Sequence, residues 1–377
     1  MSNLFKELRK QEAKLEESGI AVKSERPKYW ISLGNFTLNK IISGMFRGGI
    51  GQGRLAAITG PSSAGKSFIV GNVCREAQNQ GVGLLILDSE NALDEGFMQA
   101  LGVDTDRDDY FYRGISSIND ATKMVSNFIK AYRTNGEEQP FLIVLDSIDM
   151  LRTDSQEAAY EAGDSKGDQG QHAKQVKNML APWVHDIKSL NISIVCTKQV
   201  FQEQDPMLQK NPQTAWKFTE SAKYAFSQIL LVTRFMLKDE SGAKIPGKKD
   251  TNYAGIRLKA YGMKTRFTKP FQSATVEVPY ETGMDPYDGL LDAAKMLGVV
   301  TGSGAWNYLE GTDIKWSGAK GWDEVKEQVL EACIAKESEF LDVNLEGEIV
   351  EATDGNGSKS DQRKRKLMQE AAADSAE

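Results

Sequence analysis

Metal-binding side chains of the histidine and cysteine type are scarce in this sequence: 377 residues contain two histidines and three cysteines. Cys74, Cys196 and Cys333 lie far apart, without the paired spacing of a metal site. A zinc site built on histidine is therefore not expected. The cysteine usage favours a reducing compartment, and we expect the protein in the cytoplasm.

Long apolar runs are also missing. No stretch approaches the roughly 20 apolar residues of a membrane span, and the N-terminal MSNLFKELRKQEAKLEE lacks the apolar centre of a signal peptide. We therefore expect no membrane contact. The net charge of −7 argues against a protein that coats itself with polyanion, but it leaves room for a local basic groove.

The N-terminal residues 3–18 predict a short amphipathic helix, because Leu4, Leu8 and Leu15 share one stripe. A charged linker, SERPK, separates this helix from the rest of the chain. Two interpretations remain open. The helix packs on its own domain, or it packs on a neighbouring subunit as a polymerisation element.

From about residue 30, short apolar runs alternate with amphipathic segments: RLAAIT, GLLILD, FLIVLD, ISIVCT and QILLVTR. This pattern predicts an α/β fold with a mostly parallel central sheet. AGIRLKAY and ATVEVPY alternate better and predict antiparallel edge strands. We expect an N-terminal helix and linker over 1–29, a core over 30–285, a small C-terminal region over 286–345 and a disordered tail over 346–377.

The segment GPSSAGKS fits the phosphate-binding loop G-x-x-x-x-G-K-[ST], and it lies between a predicted strand and a predicted helix. Backbone N–H groups of such a loop wrap a phosphate, the lysine reaches the terminal phosphates and the hydroxyl binds Mg²⁺. We therefore expect ATP and Mg²⁺ as cofactors. The predicted nucleotide-binding residues here are Gly60, Pro61, Ser62, Ser63, Ala64, Gly65, Lys66, Ser67 and Phe68.

Carboxylates follow two other predicted strands. Asp146 ends FLIVLD and is expected to support the Mg²⁺ together with Ser67. Glu90, just after GLLILD, is the candidate base that activates water, because ligands bind at the carboxyl ends of parallel strands. Asp88 and Asp94 are expected to be structural or to orient the nucleotide.

These segments, together with ISLGNFTLNKIISGMFRGGIGQGRLAAIT, SENALD, GDSKGDQG and VCTKQV, resemble RecA-type recombinases in order and spacing over about residues 30–300. GMDPYDGLLDAAKMLG resembles in particular the UvsX recombinases of T4-like phages. The resemblance implies a RecA-like ATPase core that forms helical, ATP-bound filaments on single-stranded DNA and exchanges strands with homologous duplex. If the chain is phage-encoded, its compartment is the host cytoplasm.

The resemblance also implies roles for further residues. Phe97 stands where an aromatic contacts the adenine, and Gln199 matches the residue that senses the γ-phosphate and signals to a DNA loop. Lys264 and Arg266 match cations that reach the neighbouring subunit's ATP site. Lys198 departs from the family pattern, since many relatives have asparagine there. The predicted catalytic residues are thus the loop lysine, the glutamate after GLLILD and Gln199.

Two long segments, about 152–172 and 200–220, lack strand periodicity and predict DNA-binding loops. Basic and aromatic side chains on such loops suit single-stranded nucleic acid, since cations meet phosphates and rings meet bases. Phe218 ends the second segment, and acidic residues are interspersed in both. The predicted DNA-binding residues are Gly163, Lys166, Lys174, Phe201, Lys210, Trp216 and Lys217.

The function predicted from these observations is a DNA-dependent ATPase, releasing ADP and phosphate, that drives homologous pairing and strand exchange. Its partners would be single- and double-stranded DNA, further copies of the chain, and a single-strand-binding protein or loader. A helicase motor of the same fold and a mediator with low nucleotide turnover remain alternatives. A small-molecule kinase is more distant, because no acceptor pocket or lid is evident.

Overall fold

The computed structural model describes Glu7, Lys10 and the ranges 26–164, 170–209, 215–218, 220–238 and 253–337. Glu7 and Lys10 have helical backbone. The remainder of the predicted helix over 3–18 and the whole predicted tail over 346–377 lie outside the described residues.

Fifteen strands occur in the described ranges. They are β1 (Trp30–Ile31), β2 (Ile50–Gly51), β3 (Leu55–Gly60), β4 (Gly83–Asp88), β5 (Tyr110–Gly114), β6 (Phe141–Asp146), β7 (Ile192–Gln199), β8 (Phe201–Gln202), β9 (Trp216–Lys217), β10 (Gln228–Lys238), β11 (Tyr253–Thr265), β12 (Ser273–Pro279), β13 (Val300–Ser303), β14 (Trp306–Leu309) and β15 (Lys315–Trp316).

Ten helices with defined bounds accompany them in the same ranges. They are α1 (Phe36–Ser43), α2 (Lys66–Asn79), α3 (Glu95–Ala100), α4 (Ile118–Thr134), α5 (Asp154–Glu161), α6 (Gln171–Asp186), α7 (Pro206–Gln209), α8 (Glu220–Lys223), α9 (Leu290–Met296) and α10 (Gly318–Ala335).

Eight strands form the central sheet, in the order β12-β11-β10-β3-β7-β6-β4-β5. The six strands from β10 to β5 run parallel, whereas β11 pairs antiparallel with both β10 and β12. The predicted α/β fold with a mostly parallel sheet is confirmed. The carboxyl ends of β3, β7, β6 and β4 consequently meet at one edge, which we call the carboxyl edge.

Two details of the sheet differ from the sequence prediction. AGIRLKAY lies within β11, which is an interior strand because β12 covers its outer side. The opposite edge strand, β5, was not predicted. Its sequence YFYRG is half exposed and contains no apolar run, so the pattern of a covered parallel strand is missing.

Apolar layers cover both faces of the sheet. On one face, Ile69 and Val73 of α2 pack with Ile58 and Ile86 of the strands, all at most 2% exposed. On the other, helices α4 and α6 supply a second layer that includes Val125, Leu180 and Trp183. The apolar runs of the sequence are thus explained by burial on both faces, which holds the central strands rigid beneath the carboxyl edge.

The segment after β12 forms a small layer of its own. Strands β13, β14 and β15 make an antiparallel sheet, and α9 and α10 pack with them around Leu290, Trp316 and Leu330. Phe46, from the loop after α1, is completely buried in this cluster. Among the helices described, none combines the length and the apolar character that crossing a membrane requires.

Candidate active site

The loop between β3 and α2 has the backbone shape of a phosphate cradle. Gly65 has φ of 90°, in the left-handed region that favours glycine. A Cβ on Gly60 would lie 2.3 Å from the carbonyl oxygen of Val232, so only glycine fits against β10. The loop therefore curves around the N-terminus of α2, where unpaired N–H groups and the helix dipole favour an anion.

Lys66 is held over this loop by neutral acceptors. Its Nζ donates a hydrogen bond to the carbonyl oxygen of Pro61 at 3.0 Å. Burial lowers the pKa of the Lys66 ammonium, while the negative charges of Glu90, Asp146 and Asp149 oppose that shift. A half-buried cation near three carboxylates is suited to bind a polyphosphate together with a divalent cation.

Asp146, the last residue of β6, is 1% exposed and incompletely bonded. The Thr197 hydroxyl on β7 donates to its Oδ1, but no described residue donates a hydrogen bond to Oδ2. Burial raises the pKa of this carboxyl, and the hydroxyls of Thr197 and Ser67 oppose the shift. A buried carboxylate oxygen without a partner beside Ser67 fits the ligand set of Mg²⁺, which prefers oxygen donors.

Glu90 is fixed by a residue from the next strand. The Ser147 hydroxyl donates to Glu90 Oε1 at 2.5 Å, across neighbouring strands in which Asp88 lies opposite Asp146. Asp88 accepts from the backbone N–H groups of Glu90 at 2.9 Å and Leu93 at 2.8 Å. Asp88 thus stabilises the turn after β4, whereas Glu90 is the carboxylate of this turn whose charge raises the pKa of Lys66.

Gln199 ends β7 beside the start of the phosphate loop. It lies opposite Gly60 in the paired strands, and the N–H of Val200 donates to the Gly60 carbonyl at 3.2 Å. The Gln199 N–H donates to Asp149 Oδ2 at 2.6 Å, and Lys198 forms an ion pair with the same carboxylate. The structure therefore brings Lys66, Glu90, Asp146 and Gln199 together at the carboxyl edge.

Comparison with known proteins agrees with this geometry. The family profile described as "RecA N-terminal domain" matches residues 10–285. The chain belongs to the RecA family. Among curated proteins it is similar to "Protein RecA" of Treponema denticola, of Aquifex pyrophilus and of Lactobacillus johnsonii.

The Treponema denticola relative is 27% identical over 266 residues, which are 71% of this chain and 59% of that protein. The Aquifex pyrophilus relative is 28% identical, with 69% of this chain and 68% of the relative covered. For Lactobacillus johnsonii the identity is 27%, and 76% of each chain is covered. The match therefore spans less than two thirds of the length of the Treponema protein.

Three residues predicted to contact nucleotide lie on helices beside the loop. Phe68 and Phe97 are half-buried and pack against the apolar layer on the α2 side of the sheet. Asp94 caps α3 by accepting a hydrogen bond from the Phe97 N–H at 3.0 Å. This bond gives Asp94 a structural role, and an adenine contact for Phe97 stays a prediction.

Lys264 and Arg266 lie away from the phosphate loop of their own chain. Lys264 pairs with Ile229 of β10, which in turn pairs with Ala57 of β3. Arg266 follows the end of β11, where the chain runs away from the carboxyl edge. There the Arg266 charge, after burial, helps to lower the pKa of Arg54. At about 3.3 Å per strand residue, Arg266 is separated from Gly60 by roughly 16 Å along the strands.

The first predicted DNA loop is more ordered than its sequence indicates. The expectation of a structureless segment over 152–172 is wrong for α5 (Asp154–Glu161), which begins with a reciprocal cap between Thr153 and Gln156. Gly163 is exposed after this helix, and Lys174 is exposed in the first turn of α6. Lys166 lies outside the described residues.

The second predicted DNA loop contains a short hairpin. Strands β8 and β9 pair antiparallel, with Phe201 opposite Lys217, so the expectation of no strand over 200–220 is also wrong. We call β8, β9 and their connection the loop-2 hairpin. Phe201 is 67% exposed, whereas Trp216 is half-buried against the core and Phe218 is buried. Lys210 lies outside the described residues.

Sequence reasoning missed three residues of the site: Ser147, Thr197 and Asp149. Each bonds to a group on another strand or in the turn just after it, so its role depends on the spatial order of β4, β6 and β7. The only available signal was their position at or just after the carboxyl end of an apolar run, which is where ligands bind.

Proposed function

We propose that this RecA-family chain is an ATP-dependent DNA recombinase. In this proposal it polymerises on single-stranded DNA, pairs that strand with homologous duplex and exchanges strands. The observation that carries the proposal is the convergence of Lys66, Glu90, Asp146 and Gln199 at one sheet edge, in a chain whose family match runs from residue 10 to 285.

The residues at the carboxyl edge fit Mg²⁺–ATP. The loop N–H groups and Lys66 would hold the phosphates, and Ser67 with Asp146 Oδ2 would support the metal ion. Bound Mg²⁺–ATP supplies a phosphoryl group that can be transferred to water. Lys66 is positioned to bind the phosphates, because its Nζ is held against the loop by the Pro61 carbonyl.

Glu90 is assigned to the attacking water. A general base must lie within hydrogen-bond reach of the proton that it takes, and its orientation must be fixed. The Ser147 hydroxyl fixes Glu90 through one carboxylate oxygen. In this assignment Glu90 orients the water and accepts its proton, while Gln199 responds to the phosphate end of the site.

The loop-2 hairpin and the segment after α5 are assigned to DNA. Phe201 presents an exposed ring, and Lys217 presents an ammonium that is paired with Glu203 at 2.8 Å. Together with Lys174, these groups combine stacking with charge, which is how proteins grip unpaired strands. The mixed charges predict a moderate affinity for single-stranded DNA.

Lys264 and Arg266 are assigned to the nucleotide site of a neighbouring copy. Both lie away from the carboxyl edge, Lys264 level with the middle of β3 and Arg266 just beyond the end of β11, so a head-to-tail stack of copies would bring them to the next copy's loop. This arrangement would couple ATP binding to polymerisation. We also assign the predicted helix over 3–18 to this interface.

The subtype and accessory partners are further parts of the proposal. GMDPYDGLLDAAKMLG at 283–298 favours a UvsX-like phage recombinase, which would act beside a single-strand-binding protein and a loader. In the structure this segment leads from β12 into α9, and Asn35 Nδ2 donates to the carbonyl oxygens of Asp285 and Asp288. The segment is thus built into the core rather than appended to it.

A helicase motor and a low-turnover mediator are the alternative functions. A helicase would unwind a forked duplex regardless of homology, and a mediator would bind nucleotide with little turnover that ignores DNA. The complete set of Lys66, Ser67, Glu90 and Asp146 favours an active ATPase over the mediator.

The test combines imaging with strand exchange. Electron microscopy of the protein with a non-hydrolysable ATP analogue, Mg²⁺ and single-stranded DNA should show helical filaments, and homologous but not heterologous duplex should exchange strands. Isolated particles under these conditions would refute the recombinase. Unwinding of a forked duplex without exchange would instead establish the helicase.

A further inference from the structure

Asp149 connects the nucleotide site to the strand that carries Gln199. It lies three residues after Asp146 and accepts hydrogen bonds from two consecutive residues of β7: the Lys198 ammonium and the Gln199 N–H, the latter at 2.6 Å. Lys198 is 7% exposed and the Asp149 side chain is 25% exposed, so the buried ammonium is balanced by a carboxylate at the border of the core. Such a pair holds its geometry firmly, because separating the charges there is costly.

Lys198 also contacts the base of the loop-2 hairpin. Its Nζ lies 5.8 Å from the centroid of the Phe218 ring, within the range of a cation–π interaction. Phe218 directly follows β9 and packs edge-on against Phe226, with ring centroids 6.0 Å apart. A movement of Lys198 would therefore displace Phe218, through which the hairpin packs on the core.

Asp149 faces the nucleotide site as well. Its negative charge is one of those that raise the pKa of Lys66 against the effect of burial. The same carboxylate thus interacts with the phosphate-loop lysine, with the backbone of Gln199 and with Lys198. A change of charge or position at Lys66 or Gln199 must alter the balance at Asp149.

We propose that Asp149, Lys198 and Phe218 form a relay that positions the loop-2 hairpin according to the state of the nucleotide site. The relay rests on the proposed function, because its purpose is to couple nucleotide to DNA affinity. These are positioning residues: Asp149 senses the site, the Lys198 ammonium transmits the change, and Phe218 passes it to β9. The relay adds a side-chain route to the backbone connection through Gln199.

The test removes both charges at once. The double variant Asp149→Asn/Lys198→Met keeps the size of both side chains and leaves no buried unpaired charge, so folding is preserved better than in either single variant. Phe218→Leu removes the ring but keeps an apolar side chain. The matched control is Arg133→Met/Asp186→Asn, which removes a half-exposed ion pair between α4 and α6.

Two readouts separate a relay from a purely structural contact. The first is hydrogen exchange of the amides at 215–218 and 222–226, with and without a non-hydrolysable ATP analogue and in the absence of DNA. The second is the ratio of single-strand Kd with ADP to that with the analogue. Binding of a fluorescent ATP analogue checks that the nucleotide site itself is intact.

In the wild type and the control we expect the analogue to change exchange in the hairpin. In the double variant and in Phe218→Leu, measured with the analogue at saturating concentration, the exchange response should disappear and the Kd ratio should fall at least about fivefold. The relay would be overturned if the double variant, with nucleotide bound, showed the same change in hydrogen exchange of the hairpin as the wild type. It would also be overturned by a wild type whose hairpin ignores the analogue.

The exchange readout needs no DNA, so failure of the two proposals can be distinguished. If the wild-type hairpin responds to the analogue through Lys198 but the protein does not bind single strands, the relay stands and the recombinase is refuted. If the protein forms filaments and exchanges strands while the double variant keeps its full Kd ratio, the recombinase stands and the relay is refuted.

Discussion

The Ser147 hydroxyl donates a hydrogen bond to Glu90 Oε1 at 2.5 Å. The two residues follow adjacent strands, so the sheet itself sets the direction of the carboxylate. Ser147 is in turn bound through its backbone, because its N–H donates to Ser89 Oγ at 2.9 Å and its carbonyl accepts from the same hydroxyl at 2.7 Å. Glu90 is therefore oriented by a rigid support before any ligand binds.

This support predicts the effect of Ser147→Ala. Without the hydroxyl, Glu90 loses its fixed orientation, and kcat for ATP hydrolysis should fall about tenfold while KM changes little. Glu90→Gln should reduce kcat by about a hundredfold or more and retain the nucleotide, which leaves the protein bound to DNA. Ser126→Ala, at an exposed position of α4, is the control. Wild-type turnover in Ser147→Ala would contradict the assignment.

Asp146→Asn should make the nucleotide-free protein more stable and inactive. Burial raises the pKa of Asp146, so the folded state binds its proton up to a higher pH than the unfolded chain does. The stabilisation from protonation is complete below the ordinary aspartate pKa and is lost as pH rises through the raised pKa. At neutral pH the variant should gain about 1 kcal/mol, because a neutral amide replaces a buried charge.

Thermal unfolding across this pH range, with and without Mg²⁺–ATP, measures both effects. The wild type should lose stability as pH rises through the window, and this contribution should be absent from Asp146→Asn. Mg²⁺–ATP should raise the Tm of the wild type more than that of the variant. The exposed Asp108→Asn serves as the control. Equal pH profiles for wild type and Asp146→Asn would show that the buried charge is compensated.

Mixing two inactive variants tests whether Lys264 and Arg266 act on a neighbour. Lys66→Ala lacks one half of the site, and Lys264→Ala/Arg266→Ala lacks the other. In a random one-to-one mixture, about a quarter of the interfaces combine two intact halves, so about a quarter of the wild-type ATPase should return. In the control mixture of Lys66→Ala with Glu90→Gln, both substitutions lie in the phosphate-loop half of the site. This mixture should recover no ATPase activity. An inactive first mixture would place the cations elsewhere.

Lys217 and Glu203 should act on DNA affinity in opposite directions. Lys217 Nζ lies 2.8 Å from Glu203 Oε1, and this contact lowers the pKa of Glu203, so the two charges oppose each other within the hairpin. Lys217→Ala should weaken single-strand binding and reduce the magnitude of the salt slope by about 0.7, the value for one phosphate contact with a single strand. Glu203→Gln should strengthen binding because it releases the lysine.

Fluorescence anisotropy at several salt concentrations measures both changes, and Lys130→Ala on the exposed side of α4 gives the effect of losing a remote positive charge. Equal salt slopes for Lys217→Ala and the wild type would exclude a phosphate contact by this residue. A weaker Glu203→Gln would indicate that the hairpin needs the ion pair for its shape.

The sequence was sufficient for residues whose position along the chain determines their environment. Lys66 is defined by its motif, and Asp146 and Glu90 follow apolar runs that burial on both faces makes easy to recognise. Because parallel strands end at one edge, these side chains could be expected to converge. Their order across the sheet was not needed for that inference.

Residues that act across strands could not be found in this way. Asp149 stands in a turn after β6, and only the adjacency of β6 and β7 brings it to Lys198 and Gln199. The loop-2 hairpin was missed for a different reason. Its strands are two residues long each, which is too short to show a period, and they lie far apart along the chain.

The phosphate loop lies at the carboxyl edge, whereas Lys264 and Arg266 lie away from it, towards the other end of the strands. This separation determines how ATP turnover depends on assembly. If Lys264 and Arg266 complete the ATP site of the next copy, a stack of n copies contains only n − 1 complete sites. The ATP site at one end of the stack is then always inactive. Turnover per molecule should then climb with stack length and level off. Monomers would hydrolyse almost no ATP. Hydrolysis would therefore be confined to protein that has already assembled on single-stranded DNA.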